Sequence, residues 1–407
     1  NAPCGSRSRR SSGKGAKPMW AGDPIDYSGP HLSDPNAIIP LLAAMARMKV
    51  DDVFITTDNP VQIEHLGEMR SVTRYTLNGS QVERILKKIT GQDAVIGKVG
   101  SGTDFDKAIT VDDPDERDEH GEPIQHRFRL NITGGFAGNG LGFDATLRRI
   151  NAVPMTLDQV GFPETLRDRF AVTQGSFLIA GPTGSGKSTT FSACIREILE
   201  GDTAIKGNIL EYSAPTEYLF HTIRSRHSRV MQCEIGTHLP SFAAGVRNAL
   251  RRHPKLTIIG EIRDTETIMA ANELASGGHP LFGTTHANSS IEILQRLVQN
   301  FPVAQYDQVF AALVNTSRLF MSQIRVRVRD TDQMTVLRDW LYLTNDDKRA
   351  LLAAGYSGHI EVLRQLIQNP ANGRSMRTSI DEAYDAGLLD DGQRLTLYKT
   401  YGEEDGV

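Results

Sequence analysis

The chain has 407 residues, 39% hydrophobic and 23% charged, which supplies enough apolar material for a sizeable core, excludes wholesale disorder and allows two or three domains. No apolar run approaches the roughly 18 residues that span a bilayer, and the best, Ile38 to Met45, is broken by Pro40, so an integral membrane protein is excluded. A net charge of −4 excludes a general polyanion binder, and the scattered cysteines Cys4, Cys194 and Cys233 form neither a disulfide framework nor a zinc cluster, which suits a reducing cytosol.

Residues 1–17 carry Arg7, Arg9, Arg10, Lys14 and Lys17 without an acid, and no apolar segment follows as in a secretory signal. A basic, disordered arm is therefore expected over 1–35. Apolar spacing predicts a helix over Asn36–Lys49, a strand over Asp52–Thr57 and an amphipathic helix over Val82–Thr90. The tract Asp112–Glu122, with seven carboxylates, reads as an exposed hairpin tip or insertion and lacks the Gly-centred spacing of a calcium loop. Arg127–Ile132 alternates like a strand with one wet face. Thr133–Gly142 is Gly-rich, but a strand-like piece, Phe143–Ile150, follows it, so it reads as a hairpin turn rather than a phosphate loop. Asn151–Pro163, polar and with two prolines, reads as a linker between domains.

Beyond the linker, short apolar runs (Ser176–Ala180, Asn208–Leu210, Thr257–Ile259, Leu281–Thr284) alternate with helical stretches (Ser188–Leu199, Phe242–Leu250, Thr265–Ala275, Ile291–Val298). That rhythm predicts an α/β domain with a largely parallel sheet. Ile324–Val328 adds a strand with a basic exposed side, and several short helices are expected from Asp346 onward. Cys194, Trp20 and Trp340 read as packing residues, and His221, His227, His238 and His253 as surface residues too irregularly spaced for a metal site.

Gly181, Pro182, Thr183, Gly184, Ser185, Gly186, Lys187, Ser188 and Thr189 follow an apolar strand and open a helix. This is the phosphate-binding G-x-x-x-x-G-K-[ST] pattern in its required context. The glycines let backbone N–H groups approach phosphate, and the helix N-terminus adds partial positive charge. Lys187 can then bridge the β- and γ-phosphates of a nucleotide, and the Ser188 hydroxyl is placed to ligate Mg²⁺. Leu256–Asp264 (LTIIGEIRD) is an apolar strand ending in an acid, which puts Glu261 across the phosphates, where it can polarise a water. Leu281–Asn288 (LFGTTHAN) brings His286 to the same sheet edge, in reach of a γ-phosphate.

These three motifs in this order, with QCEIG and SFAAGVRNALRRHP before the second, resemble the secretion-ATPase superfamily of type II and type IV secretion and type IV pili. Within it the chain is most similar to the pilus-retraction branch and its relatives DotB and TraJ, the type IVB secretion and conjugation ATPases. The resemblance implies a RecA-like P-loop α/β domain (164–345) with a mainly parallel sheet, preceded by a smaller α+β PAS-like domain (36–150) and a linker (151–163), with a helical region at 346–407. It also implies a homohexameric ring that hydrolyses ATP with Mg²⁺ and works with secretion-apparatus proteins, as a peripheral protein at the cytoplasmic face of the inner membrane. Residue by residue, the Walker B glutamate falls on Glu261 and the His-box histidine on His286. The arginines that reach a neighbour's nucleotide fall on Arg129 and Arg148, while Arg247 and Arg251 match basic residues of the helix before Walker B.

The acidic box, usually I-E-D-P-I-E, reads YSAPTE here, so Ser213 and Ala214 replace two acids and Glu217 is kept, with Glu211 just upstream. Either Glu261 acts with help from Glu217 or Glu211, or hydrolysis is slow. The absence of a four-Cys module and of an A-I-R-N-L signature favours a type IVB secretion or conjugation motor over type II secretion or pilus retraction. The rival reading is a RecA-like nucleic-acid translocase using Arg224, Arg226, Arg229 and the IRVRV strand. The net charge and the 7% aromatic content weigh against it, so direct nucleic-acid binding is not expected. A scaffold that binds nucleotide without hydrolysing it is a third reading, motivated by Ser213.

Overall fold

The computed structural model describes residues 27–401 except 66–67, 119–120, 139, 151–152, 222 and 332. Most of the basic arm, with Cys4 and Trp20, lies outside the described residues. The chain divides after Ile150 into two compact units.

In the first unit, α1 (Ile38–Arg47) starts behind a 3-10 turn in which Asp34 accepts a hydrogen bond from the Asn36 amide. Ile38, Leu41, Leu42 and Met45 recur at three- and four-residue intervals and form its buried stripe. After β1 (Asp52–Thr56), β2 (Gln62–His65) and β3 (Glu68–Ser71), α2 (Gly79–Thr90) is opened by a reciprocal Asn78–Gln81 capping box. Then come α3 (Val95–Gly100), β4 (Phe105–Arg117), β5 (Pro123–Ala137) and β6 (Gly140–Ile150). The sheet runs β3-β2-β1-β6-β5-β4 and is antiparallel throughout. Phe143, Ala145 and Leu147 of β6 enter one core with α1 and α2, while Asp144 and Arg148 stay exposed, the period-2 pattern of a sheet covered on one face.

Two expectations are refined in this unit. The Gly-rich Thr133–Gly142 is a hairpin, but strand pairing continues to Ala137 opposite Gly140, so its turn is tighter than the composition suggests. The acidic tract ends the β4–β5 hairpin, yet Asp113 turns inward and is 1% exposed.

The second unit contains β7 (Ser176–Ala180), α4 (Lys187–Glu200), β8 (Asn208–Ser213), β9 (Arg229–Glu234), α5 (Phe242–Ala249), β10 (Leu256–Ile259) and α6 (Thr265–Ser276). These are followed by β11 (Leu281–Thr284), α7 (Ile293–Val298), α8 (Tyr306–Thr316), β12 (Ser317–Arg327) and β13 (Met334–Tyr342). The chain then forms α9 (Asn345–Ile367), β14 (Gly373–Arg374), α10 (Met376–Asp385) and α11 (Asp391–Tyr401). The strand order is β14-β13-β12-β7-β11-β10-β8-β9, parallel from β12 to β9 and antiparallel at β13 and β14.

β7 is buried on both faces. Leu178 and Ala180 point into a core shared with α5 to α9, whereas Phe177 and Ile179 point into one shared with α4. There the Phe177, Phe191 and Phe282 rings meet with centroids 5.1, 5.2 and 5.4 Å apart. Cys194 is fully buried in this core, which pushes its thiol pKa up. The α/β class with a mainly parallel, RecA-like sheet after a smaller α+β unit is the one expected. The C-terminal region differs in detail: α9 is one element of 23 residues, interrupted at Gly355, where φ is 66°.

Candidate nucleotide site

The segment between β7 and α4 is built on backbone that only glycine adopts without strain. Gly181 has φ of +140°, and a Cβ there would lie 2.3 Å from the Gln323 carbonyl oxygen and 2.8 Å from Ser185 Oγ. Gly186, at φ +88°, is the N-cap of α4 and offers no capping side chain, so the first-turn amides face the loop without a side-chain acceptor. Lys187 folds over the loop and donates from Nζ to the Gly181 and Pro182 carbonyls at 2.7 and 3.0 Å. Burial holds its pKa below the usual lysine value, and the carboxylates of Glu261 and Glu217 offset only part of that shift. A left-handed glycine cradle, uncapped helix amides and one lysine are a donor set that fits a polyphosphate, and Ser188, next in the first turn, is the hydroxyl suited to a Mg²⁺ bound with it. Thr189 leaves the loop by pairing with the Tyr218 hydroxyl at 2.8 Å.

Strand order brings the other groups in. β11 lies between β7 and β10, so the residues that follow it emerge between the phosphate loop and the acid at the end of β10. His286 Nε2 is 3.1 Å from Glu261 Oε1, and Arg263 is 3.4 Å from Glu261 Oε2. Hydroxyls stitch these ends together: Thr284 donates to the Gly260 carbonyl, and Thr285 donates to the Ile262 carbonyl at 3.0 Å. A cleft of about 420 Å³ opens beside them, lined by Gly181, Pro182, His286, Asn288, Glu292 and Arg296 among others.

Ser213 is buried and paired with the Thr216 hydroxyl at 2.9 Å. Of the two nearby acids, Glu211 accepts a hydrogen bond from Gln232 of β9 at 2.6 Å, and Glu217 is the one whose charge acts on Lys187. Arg247 pairs with Glu266 at 2.9 Å, and Arg251 donates to the Arg247 carbonyl at 3.4 Å. Arg129 and Arg148 belong to the first unit, directly opposite one another on β5 and β6. Each is held by a carboxylate, Asp106 at 2.6 Å and Asp52 at 2.9 Å.

Two buried supports escaped the sequence reading. Gln323 of β12 donates to the Ser185 carbonyl at 2.7 Å and accepts from Thr190 at 2.9 Å. Asp339 of β13 accepts from the Ser290 amide at 2.9 Å and the Ser322 amide at 3.0 Å, anchoring the turn after His286. The only signal for either was a polar pair inside an apolar strand. Among the described residues no cluster of His, Cys, Asp and Glu could hold a metal ion, and no helix is long and apolar enough to cross a membrane.

Residues 127–381 match the family described as Type II/IV secretion system protein. The type IV pilus retractation ATPase PilT of Pseudomonas aeruginosa is 29% identical over 290 residues, 71% of this chain and 78% of that protein. The uncharacterized protein YggR of Escherichia coli is 36% identical over 182 residues, 45% of this chain and only 54% of its own length. The X-ray structure of the Legionella pneumophila ATPase DotB superposes with a TM-score of 0.79 at 27% identity, covering 93% of this chain and 98% of that one. The resemblance drawn from the motifs, including the likeness to DotB, is borne out.

Proposed function

The chain belongs to the Type II/IV secretion system protein family, and from that premise we propose that it hydrolyses Mg²⁺-ATP at the loop Gly181–Thr189 to drive a type IVB secretion or conjugative transfer apparatus. The observation that carries this reading is the gathering of Lys187, Glu261 and His286 at the carboxyl edge of one parallel sheet, with Glu261 and His286 in hydrogen-bond contact. Bound ATP with Mg²⁺ supplies an activated phosphoanhydride. The α4 amides and the Lys187 ammonium hold its phosphate charge, and Ser188 holds the metal. Glu261 takes the proton of the attacking water, and His286 orients Glu261 through Oε1. Glu217 is the acid beside Lys187 that stands in for the altered acidic box.

The likeness to DotB over nearly the whole chain favours the type IVB branch. In this reading residues 164–345 are the ATPase domain and 36–150 the N-terminal domain, joined through 151–163, whose Leu157 and Phe162 are buried in the second unit's core, with the helical region 346–407 after them. Six copies form a ring, and Arg129 and Arg148 answer a neighbouring subunit's nucleotide. Work is delivered to apparatus proteins at the cytoplasmic face of the inner membrane. Light scattering and phosphate release measured on the same sample, with and without nucleotide, test this. Sixfold mass with turnover is expected; a monomer whose turnover requires DNA would overturn it.

A further inference from the structure

Arg338 is 4% exposed, and its charge is met by neutral oxygens. It donates from Nη1 to the Gly161 carbonyl at 2.8 Å, from Nη2 to the Val160 carbonyl at 2.8 Å and to Thr190 Oγ1 at 3.3 Å, and from Nε to Gln323 Oε1 at 3.3 Å. Burial lowers its pKa to about 10, so it stays charged at neutral pH. Taking a guanidinium out of water is costly unless its hydrogen bonds are all made, so such a residue holds whatever it touches in one geometry.

What it touches is the phosphate loop's support. Gln323 and Arg338 are direct cross-strand partners of β12 and β13. The Gln323 amide has an oxygen and a nitrogen that can exchange places by a half-turn. Arg338 is donor-only, so it accepts one orientation alone: oxygen toward the guanidinium, NH₂ toward the Ser185 carbonyl at 2.7 Å. Thr190, whose hydroxyl both donates and accepts, leaves either orientation open, while the acceptor-only Ser185 carbonyl asks for the same one as Arg338 from the loop side.

We propose that Arg338 is a positioning residue for the phosphate loop, which it sets by fixing the Gln323 amide, and that the same guanidinium ties the loop to the Val160–Gly161 segment. The inference rests on the nucleotide reading of the site. Ordering of the loop by nucleotide thereby reaches the stretch of chain that follows the first unit.

The test uses the full chain and ADP as probe. Arg338→Met is expected to weaken ADP binding and raise the KM for ATP roughly tenfold or more, with kcat less affected, since a charge-assisted hydrogen-bond set is lost. Arg338→Lys, which keeps the charge but not the fork, recovers part of the loss. In a cycle with Gln323→Met, the double variant binds ADP no more weakly than Gln323→Met alone. An additive double variant, or Arg338→Met within twofold of wild type, overturns the proposal while leaving the nucleotide site intact. Hydrogen exchange on the wild-type chain reads the second half: ADP is expected to slow exchange at 158–163 together with 181–190, and unchanged exchange at 158–163 sinks the tie even if the variants fail to fold. A wild-type chain that binds no ADP overturns the site reading and this inference together.

Discussion

His286 Nε2 lies 3.1 Å from Glu261 Oε1, a contact between the ends of neighbouring parallel strands whose sequence positions are far apart. It gives the acid a fixed direction from one side, with Arg263 3.4 Å from its other oxygen. Glu261→Gln keeps the shape and hydrogen bonding of the side chain and removes its capacity to take a proton. Turnover is expected to fall by roughly 10² to 10⁴ with nucleotide affinity nearly unchanged. His286→Ala should lower kcat by a smaller factor, because the acid survives and only its orientation is lost. Steady-state phosphate release beside ADP titration separates the two, and a Glu261→Gln variant at full turnover refutes the base assignment.

Gly181→Ala tests the cradle. The added Cβ would meet the Gln323 carbonyl at 2.3 Å, and φ of +140° is strained for any side chain. The loop must move, so ADP affinity is expected to drop roughly tenfold or more while the fold persists. Unchanged ADP affinity in a folded variant would show that this part of the loop does not touch nucleotide.

Asp113 anchors the first unit and predicts an acid response. Burial pushes its pKa up, but hydrogen bonds from His126, the Asp115 and Glu116 amides and Arg47 outweigh burial and hold it down to about 2. A folded pKa below the unfolded value of roughly 3.9 contributes stability that is complete above pH 4 and lost as pH falls toward 2. Asp113→Asn should therefore cost on the order of 2 kcal/mol at pH 7, and the gap to wild type should narrow between pH 4 and 2. Urea unfolding across that range checks it; a gap independent of pH contradicts the ion-pair account.

The phosphate loop was legible because its chemistry demands glycines, a lysine and a hydroxyl at fixed spacing between a strand and a helix. LTIIGEIRD and LFGTTHAN were legible because strands buried on both faces read as unbroken apolar runs that stop at a polar edge. β9 was missed: Arg229–Glu234 lies at the sheet margin with Arg229 and Met231 exposed, and its polar side chains hid the strand in a basic stretch. β13 was missed because Arg338 and Asp339 sit inside it, buried yet polar, each satisfied by partners on other elements. Cross-strand partners such as Gln323 and Arg338 have no local signature. Within α9, Gly355 at φ 66° interrupts the helix without ending it.

The most direct test of the site is an ADP and ATP-analogue titration of the wild-type chain and of Lys187→Ala, with Mg²⁺ present and folding verified by circular dichroism. Loss of the ammonium that now folds over Gly181 and Pro182 is expected to weaken binding by roughly a hundredfold and to abolish phosphate release. A Lys187→Ala chain that binds and turns over ATP like the wild type would place the nucleotide, and the chemistry, somewhere else.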